Sequence, residues 1–333
     1  MRIAIFDSKR YDRAALNQAN KDFSHKLEFF EDRLNRSTVP LAAGFDAVCP
    51  FVNDRVDAAT IEELARLGVK LITLRSAGFN SVDVNAAAKH GLKVMRVPAY
   101  SPEGVAEHVF ALLLTLVRRT HRAYTRVRDG NFSLDGLVGF NLHGRTFGVV
   151  GAGKIGIATL RIAKGFGMKL IAYDRTPNNP HVTELGGENV SLEELMARAD
   201  IISLHTPLTP ETHHMINAEA LFSMKRGAVI INTSRGGLID TEALLVALKS
   251  GQVGGVGLDV YEREEGVFFE DLSYAALQDD LLARLTTFPN VVITSHQGFL
   301  TEEALANIAH TVLANATAFE RGEALDNEVL PTA

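Results

Sequence analysis

The sequence has almost no cysteine and lacks the common metal-binding motifs. A single cysteine, Cys49, stands among 333 residues, so no disulfide can form within the chain, and we expect a reducing, cytoplasmic location. Cys49 lies in an apolar run and is interpreted as a small buried hydrophobic residue. Neither C-x-x-C nor H-E-x-x-H occurs, so we predict no metal, and the loop pair His213 and His214 is interpreted as solvated rather than ligating.

Long apolar segments and basic clusters are also missing. The longest apolar run, 109–117, is interrupted by Thr115 and falls well short of the roughly 18 residues that span a bilayer. The opening residues MRIAIFDS already have strand character and lack the apolar segment and cleavage site of a signal peptide. The net charge is −6 without any basic block. We therefore expect neither a membrane nor nucleic acid among the partners.

What the chain does have is length and a repeated alternation of strand and helix patterns. With 333 residues, of which 46% are hydrophobic, it can fill two domains of roughly 100–200 residues each. Within residues 1–100 the alternation predicts a parallel α/β sheet covered on both faces, without a glycine-rich phosphate turn. The strands are expected at 2–6, 26–30, 46–51, 70–75 and 93–97, and the helices at 11–19, 58–67 and 84–90.

A nucleotide-binding motif lies near the middle of the chain. The apolar run 147–150 leads directly into the sequence GAGKIG (151–156), and a helical pattern and a second strand follow. This order is a βαβ unit with a G-x-G-x-x-G turn. Gly151 permits the tight turn, Gly153 lets a pyrophosphate approach the backbone, and Gly156 lets the helix pack closely on the sheet.

The acid at the end of the second strand indicates which dinucleotide binds. Asp174 follows Gly156 by eighteen residues, where its carboxylate can accept hydrogen bonds from ribose hydroxyls and repel a 2′-phosphate. NAD is therefore favoured over NADP. The adjacent Arg175 has the charge to pair with such a phosphate, but we interpret it as a solvated surface arginine.

The remaining patterns complete a second domain. Six strands, the number in a full doubly wound dinucleotide fold, are expected at 147–150, 169–173, 201–205, 228–232, 254–260 and 290–294. A helix begins at Ser101-Pro102 and a later one, 302–319, is expected to return to the N-terminal domain. The predicted architecture has two doubly wound parallel-sheet domains. A Rossmann coenzyme domain (101–298) is inserted in a discontinuous, flavodoxin-like substrate domain (1–100 plus 299–333).

Three kinds of reactive side chain follow successive strands of the second domain. Arg235 comes after the fourth strand, a run of glutamates after the fifth, and His296 after the sixth. Because parallel strands end at one edge of the sheet, we expect these groups to meet beside the cofactor. Histidine donates a proton near neutral pH, a nearby carboxylate favours the imidazolium form, and arginine binds a carboxylate with two N–H groups. Spacing alone does not choose among the glutamates: Glu262 and Glu265 fit the role of the acid as well as Glu264 does.

These parts suit the reduction of a 2-ketoacid, which requires a hydride donor, a proton donor and a clamp for the carboxylate. A further anion site is expected in the first domain. There the strand 70–75 ends in Ser76-Ala77-Gly78-Phe79, a loop that can aim backbone N–H groups at an anion.

The whole chain resembles the D-2-hydroxyacid dehydrogenase family. The resemblance is carried by RSAGFNSVD (75–83), VPAYSPEGVAEH (97–108), GVVGAGKIG (148–156), LHTPLTPET (204–212), NTSRGGLID (232–240), DVYERE (259–264) and SHQGF (295–299). The segment 268–280, with its two phenylalanines and its acids, is similar to the bacterial fermentative lactate branch of the family in particular.

The resemblance implies a role for individual residues. Arg235 would be the substrate anchor, His296 the acid and base, and Glu264 the partner of His296. The substrate carboxylate would lie on a loop of four residues, Ser76, Ala77, Gly78 and Phe79. Beyond the three glycines of the turn, the cofactor contacts would be Lys154, Ile155, Asp174, Thr206, Pro207, Thr212, Thr233, Ser234, Arg235 and Asp259. Phe51 and Tyr100, with Phe299 from the other domain, would either surround the methyl group of a small substrate or serve as ordinary core aromatics.

The implied reaction is the reversible NADH-dependent reduction of pyruvate to D-lactate, with closure of the two domains excluding water. One alternative is another D-2-hydroxyacid dehydrogenase that reduces glyoxylate, hydroxypyruvate or a larger 2-ketoacid. A second alternative, of another class, is an NAD-sensing interaction module on the same fold. The resemblance also implies a homo-oligomer, a dimer or a tetramer, formed through the coenzyme domains and the helix 102–119.

Overall fold

The computed structural model describes residues 1–331, which form two compact α/β units with separate sheets and cores. The first unit comprises Met1–Ser101 together with the chain from Phe299 onward, and the second unit comprises Pro102–Gly298. The first unit is therefore discontinuous in sequence. No helix in the described part of the chain combines the length and the apolar character needed to cross a membrane.

The first unit is built on five parallel strands in the order β2-β1-β3-β4-β5. They are β1 (Arg2–Ile5), β2 (Lys26–Phe29), β3 (Ala47–Cys49), β4 (Leu71–Thr73) and β5 (Lys93–Met95). Alternate residues supply the two faces of the sheet, with Ile3 and Ile5 in one core and Ala4 and Phe6 in the other. This strand order is that of the flavodoxin-like doubly wound fold.

The helices of the first unit cover both faces of this sheet. They are α1 (Arg10–Ala19), α2 (Ala58–Arg66), α3 (Val84–Lys89) and α12 (Glu302–Arg321), with a short 3₁₀ helix at Val39–Ala42. Asp57 and Asp83 begin α2 and α3 by accepting backbone N–H groups of the first turn. Helix α12 packs on α1 and β4 and buries Val312 and Leu313, so the C-terminal segment completes the core of the N-terminal one.

The second unit contains seven parallel strands in the order β8-β7-β6-β9-β10-β11-β12. They are β6 (Thr146–Val150), β7 (Lys169–Tyr173), β8 (Glu188–Asn189), β9 (Ile201–Leu204), β10 (Ala228–Asn232), β11 (Val253–Leu258) and β12 (Val291–Ile293). The central strands are almost wholly apolar, as expected for a parallel sheet buried on both faces. The order reverses at β6, so the crevice beyond the ends of β6 and β9 is the topological switch point where ligands bind in such folds.

The helices of the second unit form a layer on each side of this sheet. They are α4 (Pro102–Arg118), α5 (Thr120–Arg128), α6 (Lys154–Gly165), α7 (Pro180–Glu184), α8 (Leu192–Arg198), α9 (Ala218–Ser223), α10 (Thr241–Lys249) and α11 (Asp280–Thr286), with a 3₁₀ helix at Gly236–Leu238. Helix α4 packs on α6 and on β10–β12, and Val109 and Leu113 lie in their common core. The apolar surface of α4 is therefore buried within the second unit.

The predicted fold class is confirmed, with one strand more than expected in the second unit. Each of the six predicted strands has a counterpart in the sheet. The unpredicted strand is β8, whose residues Glu188 and Asn189 pair with β7 at the sheet edge. Two polar residues carry no alternating apolar pattern, so the sequence gives no sign of this strand. Cys49 is fully buried, as predicted.

Candidate active site

The glycine-rich turn has the geometry that a dinucleotide requires. Gly151 has φ +99°, and a Cβ there would lie 2.8 Å from the backbone carbon of His205. A Cβ on Gly156 would lie 2.1 Å from the carbonyl oxygen of Gly151, so only glycine lets α6 start this close to the strand. Gly153 has no heavy atom within 4 Å of a Cβ position, so the space in front of the helix N-terminus is open. This open space, ahead of Lys154 and Ile155, fits a pyrophosphate.

Asp174 lies at the edge of this turn. Its Oδ2 accepts the N–H of Ala152 at 2.8 Å and its Oδ1 accepts the N–H of Thr176 at 2.9 Å. These bonds fix the carboxylate at the end of β7, and each oxygen keeps a lone pair for a ribose hydroxyl. The neighbouring Arg175 is exposed. The acid therefore has the position expected of a ribose ligand.

Further predicted cofactor residues follow β9 and β10, next to the switch point. The hydroxyl of Thr233 is buried and has no hydrogen-bond partner within the described residues. A buried hydroxyl without a partner is costly, so a bound ligand is the natural acceptor. Ser234 Oγ donates to the carbonyl of Thr206 at 2.7 Å, and Thr212 Oγ1 donates to that of Pro207. These two bonds shape the loops, whereas the hydroxyl of Thr233 is buried without an internal partner.

Arg235 is held by the loop that follows β10. Asn232 Nδ2 donates to the carbonyl of Arg235 at 2.8 Å, and Nη1 of Arg235 donates to the carbonyl of Ser234 at 2.7 Å. A Cβ on the next residue, Gly236, would lie 2.0 Å from the carbonyl carbon of Tyr261. The absence of a side chain at Gly236 thus lets the Arg235 loop press against the segment that carries the glutamates.

The histidine and one glutamate form a direct pair. Nδ1 of His296 lies 2.9 Å from Oε1 of Glu264, and the other oxygen of Glu264 accepts the N–H of Tyr261 at 3.1 Å. The strands β10, β11 and β12 are in register at Asn232, Leu258 and Ile293, so the loops that follow them share one edge of the sheet. Since Nδ1 donates to the carboxylate, Nε2 is the nitrogen available to exchange a proton with a ligand.

The other two candidate acids have different surroundings. Glu265 is exposed, whereas Glu262 bonds to Nε2 of His214 and accepts from Thr241 Oγ1 at 2.8 Å. The sequence interpretation of the histidine pair as solvated was wrong for His214, which is half-buried against Glu262. Spacing could not reveal this contact, because the two residues are 48 positions apart.

Asp259 organises the loop that carries His296. The N–H groups of Gln297 and Gly298 each donate to its carboxylate at 2.8 Å, and its backbone oxygen accepts the N–H of His296 at 2.7 Å. Burial alone would raise the pKa of Asp259, but hydrogen bonds from His108 and Thr294 keep the pKa below its usual value. The carboxylate, 1% exposed, is therefore a fixed anion behind the histidine, and the predicted cofactor contact of Asp259 remains a prediction.

The sequence analysis missed two residues of this neighbourhood. Nε2 of His108, on α4, lies 3.2 Å from Oδ1 of Asp259, and nothing in its helical pattern marks it as functional. The ring of Phe269 lies 5.9 Å from that of His296, centroid to centroid. Both Phe269 (φ +67°) and His296 (φ +51°) have the left-handed backbone conformation, which is rare for residues with side chains. Such strain is typical of functional sites.

In the first unit, the loop after β4 is shaped for an anion. The backbone N–H groups of Ala77, Gly78 and Phe79 donate to no acceptor within residues 1–331. Ser76 Oγ donates to the carbonyl of Gly78 at 2.7 Å, and Arg96 donates to the carbonyl of Ala77. The carbonyl groups of the loop are thus engaged while its N–H groups are available, as in an anion-binding nest.

Phe51, one of the predicted substrate aromatics, is fixed by charged groups of the first unit. Its ring lies 4.6 Å from the guanidinium carbon of Arg75, and its N–H donates to Asp54 Oδ2 at 2.5 Å. The Phe299 ring lies 6.2 Å from that of Phe51. The prediction that Phe299 comes from the other domain was therefore wrong, because the chain has already returned to the first unit. Tyr100 and Phe299 both pack against the core cluster of the first unit that contains Ile3 and Ile5. The carbonyl oxygen of Tyr100 accepts a hydrogen bond from Nδ2 of Asn307.

Asp54 is expected to make the stability of the first unit depend on pH. Burial, opposed by Arg75, raises the pKa of Asp54 from 3.8 to about 6. Between these values the native state holds a proton that the unfolded state has lost, so the free energy of unfolding falls as the pH rises. The total loss from a shift of this size is up to about 3 kcal/mol.

Urea unfolding of the wild type and of Asp54→Asn at pH 4.5, 5.5 and 6.5 measures this effect. The stability advantage of the wild type over the variant should shrink as the pH rises, because asparagine does not ionise. Replacing the exposed Asp22 by Asn is the control, and the free energy of unfolding of this variant should change with pH as that of the wild type does. A constant difference between the wild type and Asp54→Asn would contradict the assignment.

The glycine-rich turn, Asp174 at the end of β7 and the Arg–Glu–His set predicted at one sheet edge together indicate a class of protein. They are the parts of an oxidoreductase that uses a nicotinamide dinucleotide, with a proton donor and an anion clamp beside the cofactor.

Comparison with known proteins agrees with this class and identifies the family. A model of the NAD-binding domain of D-isomer specific 2-hydroxyacid dehydrogenases matches residues 110–298. The D-lactate dehydrogenase of Escherichia coli K12 is 52% identical over 99% of this chain and 100% of its own. A 2-hydroxyacid dehydrogenase homolog of Haemophilus influenzae is 54% identical over 100% of both chains. The solved apo-structure of the E. coli D-lactate dehydrogenase covers 99% of this chain and 100% of its own, with a TM-score of 0.91 and 49% identity.

The chain belongs to the D-isomer specific 2-hydroxyacid dehydrogenase family. It is an NAD-dependent oxidoreductase, and its second unit contains the NAD-binding domain of the family. The predictions of family, enzyme class and cofactor are confirmed. The roles of individual residues stay predictions.

Proposed function

We propose that this protein reduces pyruvate to D-lactate with NADH, reversibly. The observation that carries the proposal is the 2.9 Å contact between Nδ1 of His296 and Glu264, on the sheet edge that also holds Arg235. The similarity to the E. coli D-lactate dehydrogenase over the whole chain supports pyruvate as the substrate.

Each of these residues has a defined role in the proposed reaction. Arg235 binds the substrate carboxylate and polarises the ketone through its forked N–H groups. The N–H groups of Ala77, Gly78 and Phe79 bind the carboxylate as well. Nε2 of His296 gives its proton to the ketone oxygen, and Glu264 stabilises the imidazolium before that transfer. Bound NADH supplies the hydride.

The aromatic residues of the first unit support a small substrate. Phe51 is held between Arg75 and Phe299, and its backbone N–H is fixed by Asp54. A ring packed between two neighbours on a fixed backbone does not move aside for a large ligand without a loss of packing. We therefore propose that Phe51, with Tyr100, limits the substrate to a methyl-sized group.

A substrate panel tests the proposed function. The rate of NADH oxidation is measured with pyruvate, glyoxylate, hydroxypyruvate and 2-ketoisocaproate, and then with NADPH in place of NADH. We expect the highest kcat/KM for pyruvate with NADH. A higher value for a larger ketoacid would assign another dehydrogenase of the family. No ketoacid-dependent oxidation at all would favour the NAD-sensing module.

The discrimination between NADH and NADPH is expected to depend on Asp174. Replacing it by Asn removes the charge that repels a 2′-phosphate and weakens the bonds to the ribose. We expect the Kd of NADH to rise about tenfold or more, in line with charge-assisted hydrogen bonds, and the Kd of NADPH to fall. Fluorescence titration of both nucleotides measures these constants.

The matched control for this experiment is the neighbouring residue. Arg175→Ala changes an exposed side chain and should leave the Kd of NADH unaltered. If Asp174→Asn left both constants as in the wild type, the carboxylate would have no part in cofactor choice.

We further propose that the protein is a homo-oligomer formed through its second unit. The segment 119–139 follows α4 and exposes five large apolar side chains, far more than solvent contact alone explains. They are Tyr124 (64% exposed), Val127 (51%), Phe132 (74%), Leu134 (79%) and Val138 (83%). We propose that a second copy of the chain packs on this surface, in a dimer or in a tetramer built from two such dimers.

Light scattering coupled to gel filtration tests the proposed oligomer. We expect a dimer or tetramer for the wild type and a shift to the monomer for the double variant Phe132→Asp with Leu134→Asp. Tyr274→Asp alters a fully exposed aromatic outside this segment and should keep the wild-type mass. A monomeric wild type would remove the proposal.

The single cysteine supports a reducing, cytoplasmic location as the proposed place of action. Cys49 is buried, and burial raises the pKa of its thiol to about 11, so it is a poor nucleophile for disulfide exchange.

A further inference from the structure

A cluster of three metal-binding side chains lies beside the Arg235 loop. His213 and His214 follow β9, and Glu262 follows β11. One potential ligand atom from each residue lies within 4.8 Å of those of the other two. Among the described residues, this is the group that brings three such atoms together. The proposed reaction does not use any of them.

The backbone holds the two imidazoles side by side. His214 has φ +52°, a left-handed conformation that costs about 1–2 kcal/mol for a residue with a side chain. Its N–H donates to the carbonyl of Gly237 at 2.8 Å, which fixes this turn. The rings of His213 and His214 are stacked with their centroids 3.9 Å apart. The rings are therefore neighbours, and the exposed His213 ring has to turn out of this stack before both rings direct a nitrogen at one ion.

The carboxylate is oriented toward the histidines. Oε2 of Glu262 accepts from Thr241 Oγ1 at 2.8 Å, while Oε1 bonds to Nε2 of His214. A hydrogen bond to the outer oxygen of a ligating carboxylate is the usual support of a metal ligand, because it fixes the orientation of the group. The cluster is open to solvent through His213, which is exposed.

We propose that His213, His214 and Glu262 form a binding site for a divalent transition-metal ion, of which Zn²⁺ is the best match. Two imidazole nitrogens and a carboxylate oxygen are ligands that zinc takes in tetrahedral sites, with a fourth position left for water. Ligand atoms about 2.0–2.1 Å from a tetrahedral ion lie roughly 3.3 Å from one another. The ligand atoms of the cluster, which lie within 4.8 Å of one another, must therefore move closer together, and the exposed side chain of His213 is free of the packing that would prevent this. The ion takes the place of the hydrogen bond between His214 and Glu262, and each residue then gives it one ligand atom.

The two segments that carry the site both contact the glycines that follow Arg235, the proposed substrate anchor. The histidine turn is bonded to Gly237, and Gly236 lies against the backbone of Tyr261 and Glu262. An ion bound to both segments ties them together around the Arg235 loop. The site is therefore suited to control the position of the proposed anchor from outside the catalytic pair.

Calorimetric titration with ZnCl₂ tests the site without any measurement of turnover. Protein first treated with a chelator and then dialysed should bind one Zn²⁺ per chain. His213→Ala should weaken this binding at least about tenfold. His181→Ala is the matched control, because His181 also contacts an acid, Glu184 at 3.1 Å, but has no third ligand nearby among residues 1–331. The control should bind Zn²⁺ as the wild type does.

A second metal distinguishes coordination from loose association. Co²⁺ in a tetrahedral nitrogen and oxygen site gives visible absorption bands, which should appear with the wild type and with His181→Ala and be lost in His213→Ala. Equal Zn²⁺ affinity of the wild type and His213→Ala, or no binding by the wild type, would overturn the proposal. Because both readouts are independent of catalysis, a failure of the proposed ketoacid reaction would leave this test intact.

Discussion

Replacing His296 by Gln is expected to lower the kcat for pyruvate about 10²- to 10⁴-fold, the usual contribution of a general acid. Glutamine has a similar reach and keeps a hydrogen-bonding group toward Glu264, but it has no proton to give at neutral pH. The backbone bond from residue 296 to the carbonyl of Asp259 does not involve the side chain and remains. Folding and cofactor binding should therefore persist, and the Kd of NADH should change by less than about threefold.

Stopped-flow kinetics and NADH fluorescence measure the two quantities separately. Glu264→Gln is the companion variant, and it should cause a smaller loss in kcat because the imidazole remains while its partner loses the charge. Near-normal turnover of His296→Gln would exclude this histidine as the proton donor.

Replacing Arg235 by Lys is expected to lower kcat/KM for pyruvate about 10- to 100-fold, which corresponds to the loss of a charge-assisted, forked hydrogen bond. Lysine keeps the charge but offers a point donor, so it cannot bind the carboxylate with two parallel N–H groups. It also loses the bond from the guanidinium to the carbonyl of Ser234, which orients the side chain. The Kd of NADH should change much less than the KM of pyruvate.

The control for this variant is Arg263→Lys, an exposed arginine next to Glu264. It tests whether a change of arginine to lysine in this region is harmful in itself, and it should leave kcat/KM within about twofold of the wild type. Unchanged kinetics of Arg235→Lys would show that the substrate is anchored elsewhere.

Much of this fold was accessible from the sequence because its signals are local. The apolar strands alternate with helices whose first turns are marked by acids such as Asp57 and Asp83. The turn around Gly151 and Gly156 is predictable because the glycine spacing and its flanking strand and helix are local, although a Cβ on Gly151 would meet the backbone of His205 beyond β9. The strand β8 escaped prediction because it has two polar residues and is defined by its neighbour alone.

The details of the site depend on contacts between distant segments, which a single sequence does not reveal. Spacing left three glutamates open, and only the folded chain pairs Glu264 with His296 and Glu262 with His214. The hydrogen bond from His108 to Asp259 joins residues 151 positions apart. The unpartnered hydroxyl of Thr233 is likewise a property of the packed structure. Residue type indicated the chemistry, and tertiary contacts assign the partners.

The stereochemical course of the reaction tests the central claim most directly. Pyruvate is incubated with NADH carrying deuterium at both C4 positions, and the lactate is analysed by chiral chromatography and mass spectrometry. We predict D-lactate alone, with one deuterium at C2, because in the proposed reaction Arg235 holds the ketone with one face toward the nicotinamide and its oxygen toward His296. L-lactate, a racemic product or lactate without deuterium at C2 would contradict this account.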